Sequence, residues 1–273
     1  MSEEKEMSFW AHIGELRGHL IRSIIAIVVG SIIVGFNIEW VMDKLFFGPT
    51  RPDFITFKVI NHFTTEYFGT ESFTFPGDFQ VQQKKLLQQF NVMMQVSIFG
   101  GMVLAFPYIV WELWRFIAPA LLPRERKNSA FYVNFLWILF LIGILVGYFL
   151  ILPLAINFGL VFSISENITQ LFDLTDYTTL FLQVVLGMGL VFLFPVIVYV
   201  LTAIEILTPK FLQTYRRHAI VLIMVVAAII TPADVFSMLA AAFPLLLLYE
   251  FSIFLSKRVY KRVLAENAKL QRD

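Results

Sequence analysis

The sequence predicts an all-α membrane protein with six transmembrane helices, and three observations carry that prediction. Of 273 residues, 58% are hydrophobic and only 15% charged, with a mean hydropathy of +0.76; a soluble domain carries about a quarter charged residues. The apolar residues gather into six runs separated by polar, proline-bearing segments. If those six runs span a bilayer, 16 of the 21 basic residues fall on one side of it.

The chain opens on an acidic Met-Ser-Glu-Glu-Lys-Glu stretch, which lacks the basic start of a cleaved signal peptide. Ser8 then reads as the N-cap of a helical segment, Phe9 to Leu20. On a helical projection Phe9, Ile13, Leu16 and Leu20 form one narrow apolar stripe. His12, Glu15 and His19 fall on one flank of it, and Arg17 on the other beside Trp10. Glu15 and Arg17 stand two apart and do not face each other, so each needs a separate partner. Two readings are open at this point: an amphipathic lead-in with solvated charges, or a recognition surface that holds a carboxylate ready.

The first span is expected over 20–36, with Arg22 snorkelling to one interface and Trp40 marking the other. Residues 41–86 form a polar and aromatic segment broken at Gly48-Pro49-Thr50-Arg51-Pro52. Phe54, Phe57, Phe63, Tyr67 and Phe68 suit an ordered cap on the membrane domain better than a free loop. Asp78 is expected to cap a helix that continues through 80–85 into the second span, roughly 90–114, kinked at Pro107. Pro119 and Pro123 end that helix, and Glu125 lies among Arg124, Arg126 and Lys127. The third span is expected over 130–154, ending at Pro153, and the fourth over 179–203 with Pro195 inside. Thr208-Pro209 reads as N-cap and first residue of a short basic surface helix. The fifth run, 219–230, is only twelve residues, about 18 Å at 1.5 Å each; a hydrocarbon core of about 30 Å needs about 20 residues. Either the bilayer thins there, the hairpin leans on its neighbours or both, or polar residues such as Tyr215 and His218 extend the helix. Thr231-Pro232-Ala233-Asp234 makes a tight turn into the sixth span, roughly 235–255, and a basic tail follows from 256 to 273.

With six spans both termini share a side. The basic residues gathered there run from Lys5, Arg17 and Arg22 through Arg115–Lys127 and Lys210–Arg217 to the tail, so that side is predicted to be cytoplasmic. Glu15 and Glu125 then lie at the same surface. The five remaining basic residues, Lys44, Arg51, Lys58, Lys84 and Lys85, fall in the long aromatic loop.

The motifs so placed resemble a known family. Phe9…His12-Ile13…Glu15-Leu16-Arg17…Leu20 is similar to the amino-terminal signature of TatC, the multispanning subunit of the twin-arginine protein translocase. Phe106-Pro107-Tyr108…Trp114…Phe116…Pro119-Ala120-Leu121…Glu125-Arg126 resembles its first cytoplasmic loop, and Thr231-Pro232-Ala233-Asp234-Val235-Phe236-Ser237 resembles the turn between its last two helices. The matches come in order, and the six-span layout covers essentially the whole chain. The resemblance implies a concave bundle with a short last hairpin, set in the bacterial cytoplasmic membrane. It implies a receptor for the paired-arginine signal peptides of folded cargo, working with single-span partners of the TatA and TatB type, self-assembling, and driven by the proton gradient. It assigns arginine-pair recognition to Glu15 and Glu125, with Arg17 and Phe116 also in signal-peptide binding. His12, Pro49, Pro119, Leu121 and Asp234 match supporting positions.

The chemistry agrees: guanidinium groups pair bidentately with carboxylates, so two adjacent arginines need two acids. An exposed pair would contribute only about 0–1 kcal/mol, which calls for a partly shielded pocket. The chain departs from the family in two places. A polar residue usual in the middle of the fourth span is replaced in Phe192-Leu193-Phe194-Pro195, and Gln183 stands three turns away. Glu112 occupies a place where the family often has glutamine; it either serves partner contact or snorkels to the interface.

No cysteine is present, so there is neither a disulfide framework nor a thiol nucleophile. His12, His19, His62 and His218 are scattered, and neither an HExxH nor a P-loop pattern occurs. No cofactor, enzymatic activity or nucleic-acid partner is expected; the lipid bilayer is. The rival class is a small-solute secondary transporter. Against it, the two halves show no internal repeat, and the middles of spans one, three and four carry no charge.

Overall fold

The computed structural model describes residues 9–68, 81–117, 129–165, 171–231 and 234–270. In chain order its helices are α1 (Phe9–Phe36), α2 (Ile55–Phe68), α3 (Gln88–Ile117), α4 (Ser129–Val146), α5 (Leu152–Val161), α6 (Leu174–Val191), α7 (Phe194–Ala203), α8 (Pro209–Thr214), α9 (Arg216–Ile230) and α10 (Val235–Leu270). Two short strands, β1 (Val81–Gln82) and β2 (Phe172–Asp173), pair in parallel with Val81 opposite Phe172. The chain forms two compact units, Met1–Met42 with Lys85–Ile138, and Asp43–Lys84 with Leu139–Asp273.

In the first unit the amphipathic lead-in and the first span are one continuous helix, α1. It packs on α3 through small residues. A Cβ added to Gly30 would stand 2.7 Å from the Gly101 carbonyl oxygen, and one added to Gly101 would overlap the Ser31 backbone. Lipid tails are as apolar as leucine, so helices in a bilayer gain from such close approach rather than from burying apolar area. The outward face of α1, including Ile21, Ile24, Ile25, Val28 and Ile32, is exposed and suits hydrocarbon. Pro107 lies inside α3 without ending it.

The second unit is built on aromatics. Val41–Phe46 forms a π-helical turn and Gly48–Thr50 a 3₁₀ turn, with Pro49 in its first positions and buried. Phe46 is fully buried, its ring 4.8 Å from that of Tyr177 and 4.9 Å from that of Phe181. The phenols also tie down the backbone: Tyr177 donates to the Phe46 carbonyl, and Tyr148 to that of Leu45 at 2.9 Å. Phe54 stacks on Phe149 at 5.5 Å, and the Thr56 hydroxyl donates to the Phe149 carbonyl. Phe46, Phe47, Phe54 and Phe57 are held because each meets another ring and the Leu45 and Phe46 carbonyls receive hydroxyls, whereas Phe63 and Tyr67, expected in the same cap, are exposed.

Three local expectations are corrected. Pro153 does not end the third span. A π-helical turn, Gly147–Ile151, absorbs it, and α5 restarts with Pro153 in its first turn, where a missing N–H costs nothing. No helix runs through 80–85 into α3: β1 occupies 81–82, and α3 begins at Gln88, whose side chain accepts from the Lys85 backbone N–H at 3.1 Å. Asp78 lies outside the described residues. The fourth span begins earlier than expected, at Leu174. Asp173 caps it by accepting from the Thr175 N–H at 2.8 Å while its other oxygen lies 3.6 Å from Lys84 Nζ.

Pro195 separates α6 from α7. Thr208 caps α8 as its sequence indicates, accepting from the Phe211 N–H at 3.3 Å. α9 extends to 15 residues by adding Arg216, Arg217 and His218. α10 runs on past Leu255 to Leu270 without a stop, carrying Pro244 inside. Among the described residues five stretches are long and apolar enough to cross a membrane, namely Leu16–Phe36, Gln88–Phe116, Val133–Val161, Leu174–Ala203 and Val235–Ala265. The protein is a multipass helical membrane protein, and α9 is a further apolar helix about 22 Å long.

Candidate functional site

The most polar buried cluster of the first unit is assembled by residues three and four apart on two helices. On α3, Tyr108, Glu112 and Arg115 share a face; on α1, His19 and Arg22 do. Glu112 is 1% exposed, so of the two readings left open for it the snorkel to the interface does not hold. One of its carboxylate oxygens, Oε2, accepts from Arg22 Nη1 at 3.4 Å and pairs with His19 Nδ1. The other, Oε1, accepts from the Tyr108 hydroxyl at 3.0 Å and lies 3.6 Å from Arg115 Nη1. A buried carboxylate is tolerable only when its lone pairs are met by donors, and both oxygens here are. The guanidinium of Arg115 also sits over the Trp111 ring, 5.0 Å from its centroid.

The residues picked from the sequence fall around this cluster unevenly. Glu15 and His12 lie on α1, one and two turns before His19. Arg17 is exposed. Phe116 lies one turn after Glu112 on α3 and is half-buried, its ring meeting that of His19 edge-on at 6.1 Å. Glu125, Pro119 and Leu121 lie outside the described residues. Pro49 and Asp234 belong to the other unit. There Asp234 is 8% exposed and caps α10, accepting from the Ser237 N–H at 2.6 Å. Gln183 does not stand in for the polar group missing at Leu193, because its amide donates to the Ile229 carbonyl in the last turn of α9.

Sequence reasoning missed Glu112, His19, Arg22 and Tyr108 as one unit. A signal was present: Tyr108–Glu112 and Glu112–Arg115 are helical neighbours, and His19 and Arg22 share one face of the partner helix. Among the described residues no group of three His, Asp or Glu side chains is arranged to hold a metal ion.

An all-helical multipass membrane protein, with a cationic, carboxylate-centred joint between its first two long apolar helices, is the class these features define. Comparison narrows it. The family described as Sec-independent protein translocase protein (TatC) matches residues 11–244, and the chain belongs to that family. It is 40% identical over 263 residues to the Sec-independent protein translocase protein TatC of Blattabacterium sp. subsp. Periplaneta americana, covering 96% of this chain and 99% of that one. The TatC of Halalkalibacterium halodurans is 33% identical, covering 95% and 93%. Among solved structures, a crystal structure of the twin arginine translocase receptor TatC superposes with a TM-score of 0.68 at 30% identity, covering 91% of this chain and 99% of that one. A second, in DDM, gives 0.70 at 31%, covering 90% and 99%.

Proposed function

We propose that this chain is the signal-peptide receptor and multispanning core of a twin-arginine translocase, exporting folded proteins across the bacterial cytoplasmic membrane on the proton gradient. The observation that carries the reading is the α1–α3 joint in a chain of the TatC family. Glu112 fastens α1 to α3 one turn from Glu15 and one turn from Phe116. Membership of the family and the match to receptors of that name support the rest.

The joint also bears on which acids receive the arginines. Both Glu112 oxygens are engaged, and Glu250 is paired with Arg216 at 2.8 Å. One carboxylate against Arg22 and Arg115 leaves the joint net positive, so it repels an incoming arginine pair. The resemblance to the family gives the binding role to Glu15 and Glu125, with Arg17 and Phe116 beside them and Pro119 and Leu121 as supporting positions. His12, one turn before Glu15 on α1, matches a supporting position, as do Pro49 and Asp234 in the other unit. In this reading α9 is the fifth of six spans and α10 the sixth, and the distribution of basic residues supports cytoplasmic termini. TatA- and TatB-type single-span subunits and further copies of this chain complete the translocase.

The test is binding of a labelled twin-arginine signal peptide to the detergent-solubilised protein, beside a twin-lysine control. The expected result is arginine-dependent binding lost in Glu15→Ala and Glu125→Ala. Equal binding of both peptides, or unchanged binding by both variants, overturns the assignment.

A further inference from the structure

Helix α2 turns three sides to three surroundings. Phe57 is 2% exposed and faces the protein, its ring against that of Phe54. Ile55, Val59, Phe63 and Tyr67 stand four apart and form one inclined row. That row is open along its whole length, each side chain between 48% and 74% exposed. Beside it runs a second exposed row, Lys58, His62 and Glu66, in which His62 and Glu66 lie 3.7 Å apart. Single exposed apolar residues are ordinary on a protein surface, but four in line on one helix mark a contact. The level of α2 is set by the third span. Phe54 stacks on Phe149 at 5.5 Å and meets Tyr148 edge-on at 5.6 Å, and the Thr56 hydroxyl donates to the Phe149 carbonyl. Phe149 belongs to the apolar stretch Val133–Val161. A hydrocarbon core takes about 20 helical residues, and any window of that length within these 29 residues includes 142–152. The start of α2 is therefore docked on a turn that lies inside the edge of the hydrocarbon.

We infer that α2 lies in the membrane interface, with Ile55, Val59, Phe63 and Tyr67 among the acyl chains of one leaflet and Lys58, His62 and Glu66 turned to headgroups and water. The partner is the lipid surface, and two observations select it. The first is continuity: Ile142, Leu145 and Phe149 form an exposed side of the third span, which suits hydrocarbon. Ile55 opens the apolar row between Phe54 and Thr56, the two residues that touch Phe149, so the row begins where that side of the span leaves off. The second is the pairing of rows. An interfacial helix carries a charged face beside an apolar one and sinks the apolar one about 5–10 Å into the boundary of headgroups and acyl chains. Tyr67 suits that boundary with its apolar ring and polar tip, and the Lys58 stem is long enough to carry its charge out of it. The inference rests only on the stretch Val133–Val161 crossing the membrane, and neither on the receptor reading nor on which side is cytoplasmic.

The chain has no cysteine, so a single introduced cysteine carries a nitroxide label at one chosen place. The full chain is reconstituted in phosphatidylcholine nanodiscs, one copy to a disc, as Lys58→Cys, Val59→Cys, His62→Cys or Phe63→Cys. Ile142→Cys is the reference for a side chain in hydrocarbon. All five positions are exposed, so the substitutions remove no packing, and thermal melts confirm that each variant folds like the parent. Collisions of the label with oxygen, which concentrates in acyl chains, are compared with collisions with a water-soluble nickel chelate. The oxygen-to-nickel ratio is expected to be several-fold higher at Val59→Cys and Phe63→Cys than at Lys58→Cys and His62→Cys, and to approach that of Ile142→Cys. Equal ratios in the two rows, with nickel reaching both, overturn the inference and put α2 in water. Few collisions with either reagent at Val59→Cys and Phe63→Cys also overturn it, because the row is then covered by protein.

Discussion

Replacing Glu112 by glutamine isolates the charge at the α1–α3 joint while keeping its shape. Glutamine retains one oxygen but presents an NH₂ where the second oxygen stood, so either Arg115 or Arg22 must face another donor, while the Tyr108 hydroxyl can turn to accept. A hydrogen bond to a charged group contributes about 1.5–3 kcal/mol and a neutral one about 0.5–1.5 kcal/mol. The guanidiniums of Arg22 and Arg115 are about half exposed, 51% and 49%, and recover most of their loss from solvent. The His19 side chain, at 14% exposure, recovers little. The expected net loss is about 1–2 kcal/mol, less than the roughly 3–5 kcal/mol typical of breaking a fully buried pair.

Thermal unfolding of the solubilised protein reads this directly, at about 2–4 °C for each kcal/mol in a chain somewhat smaller than this one. Twin-arginine peptide binding should weaken in parallel, because the turn carrying Glu15 is no longer held against α3. A cycle with Arg22→Gln should show coupling, since both groups share Oε2. If Glu112→Gln melts with the parent and binds peptide equally, the joint neither stabilises α1 nor positions the receptor surface, and the reasoning is refuted.

Three further outcomes are expected. Gly101→Ala forces a Cβ into the Ser31 backbone and should cost about 1–3 kcal/mol, whereas Gly14→Ala, which meets nothing within 4 Å, should be neutral or stabilising; paired thermal melts check both. Asp234→Ala removes the cap of α10 and should cost about 1 kcal/mol, while Asp234→Asn, another good cap, should cost less; comparing the two melts separates capping from charge. Glu205 holds a φ of 61° in the turn after α7, so Glu205→Gly should raise stability by up to about 1 kcal/mol by relieving left-handed strain, visible as a higher melting temperature.

The spans were legible because hydropathy over twenty residues integrates many small contributions, and neither Pro107 nor Pro244 outweighs that sum. Boundaries were legible where one side chain decides them. Thr208 caps α8 as its neighbour Pro209 suggests, but Asp173 caps α6 from within a loop that reads as merely polar. Pro153 misled because a proline stops a helix only if the chain has no alternative hydrogen-bond register, and the π-helical turn at Gly147–Ile151 supplies one. The parallel pairing of Val81 with Phe172 joins residues 91 positions apart, and no local pattern encodes it.

Glu112 shows why the site was harder to read than the fold. Its burial depends on four side chains from two helices, and each pair is ordinary alone. Tyr108 four residues before and Arg115 three after read as helical neighbours of a solvated acid, and Arg22 reads as a snorkel on another helix. What unites them is the register of α1 on α3, set half a helix away where Gly30 meets Gly101 with no room for a side chain. Sliding that contact by one turn would move His19 by about 5.4 Å and strand a charged group at the joint. The glycine contact fixes the register, the buried carboxylate enforces it at the end that carries Glu15, and the proposed recognition surface would inherit its geometry from both. Gly101→Ala should therefore weaken peptide binding from a position several helical turns away, although it touches none of the residues that meet the peptide.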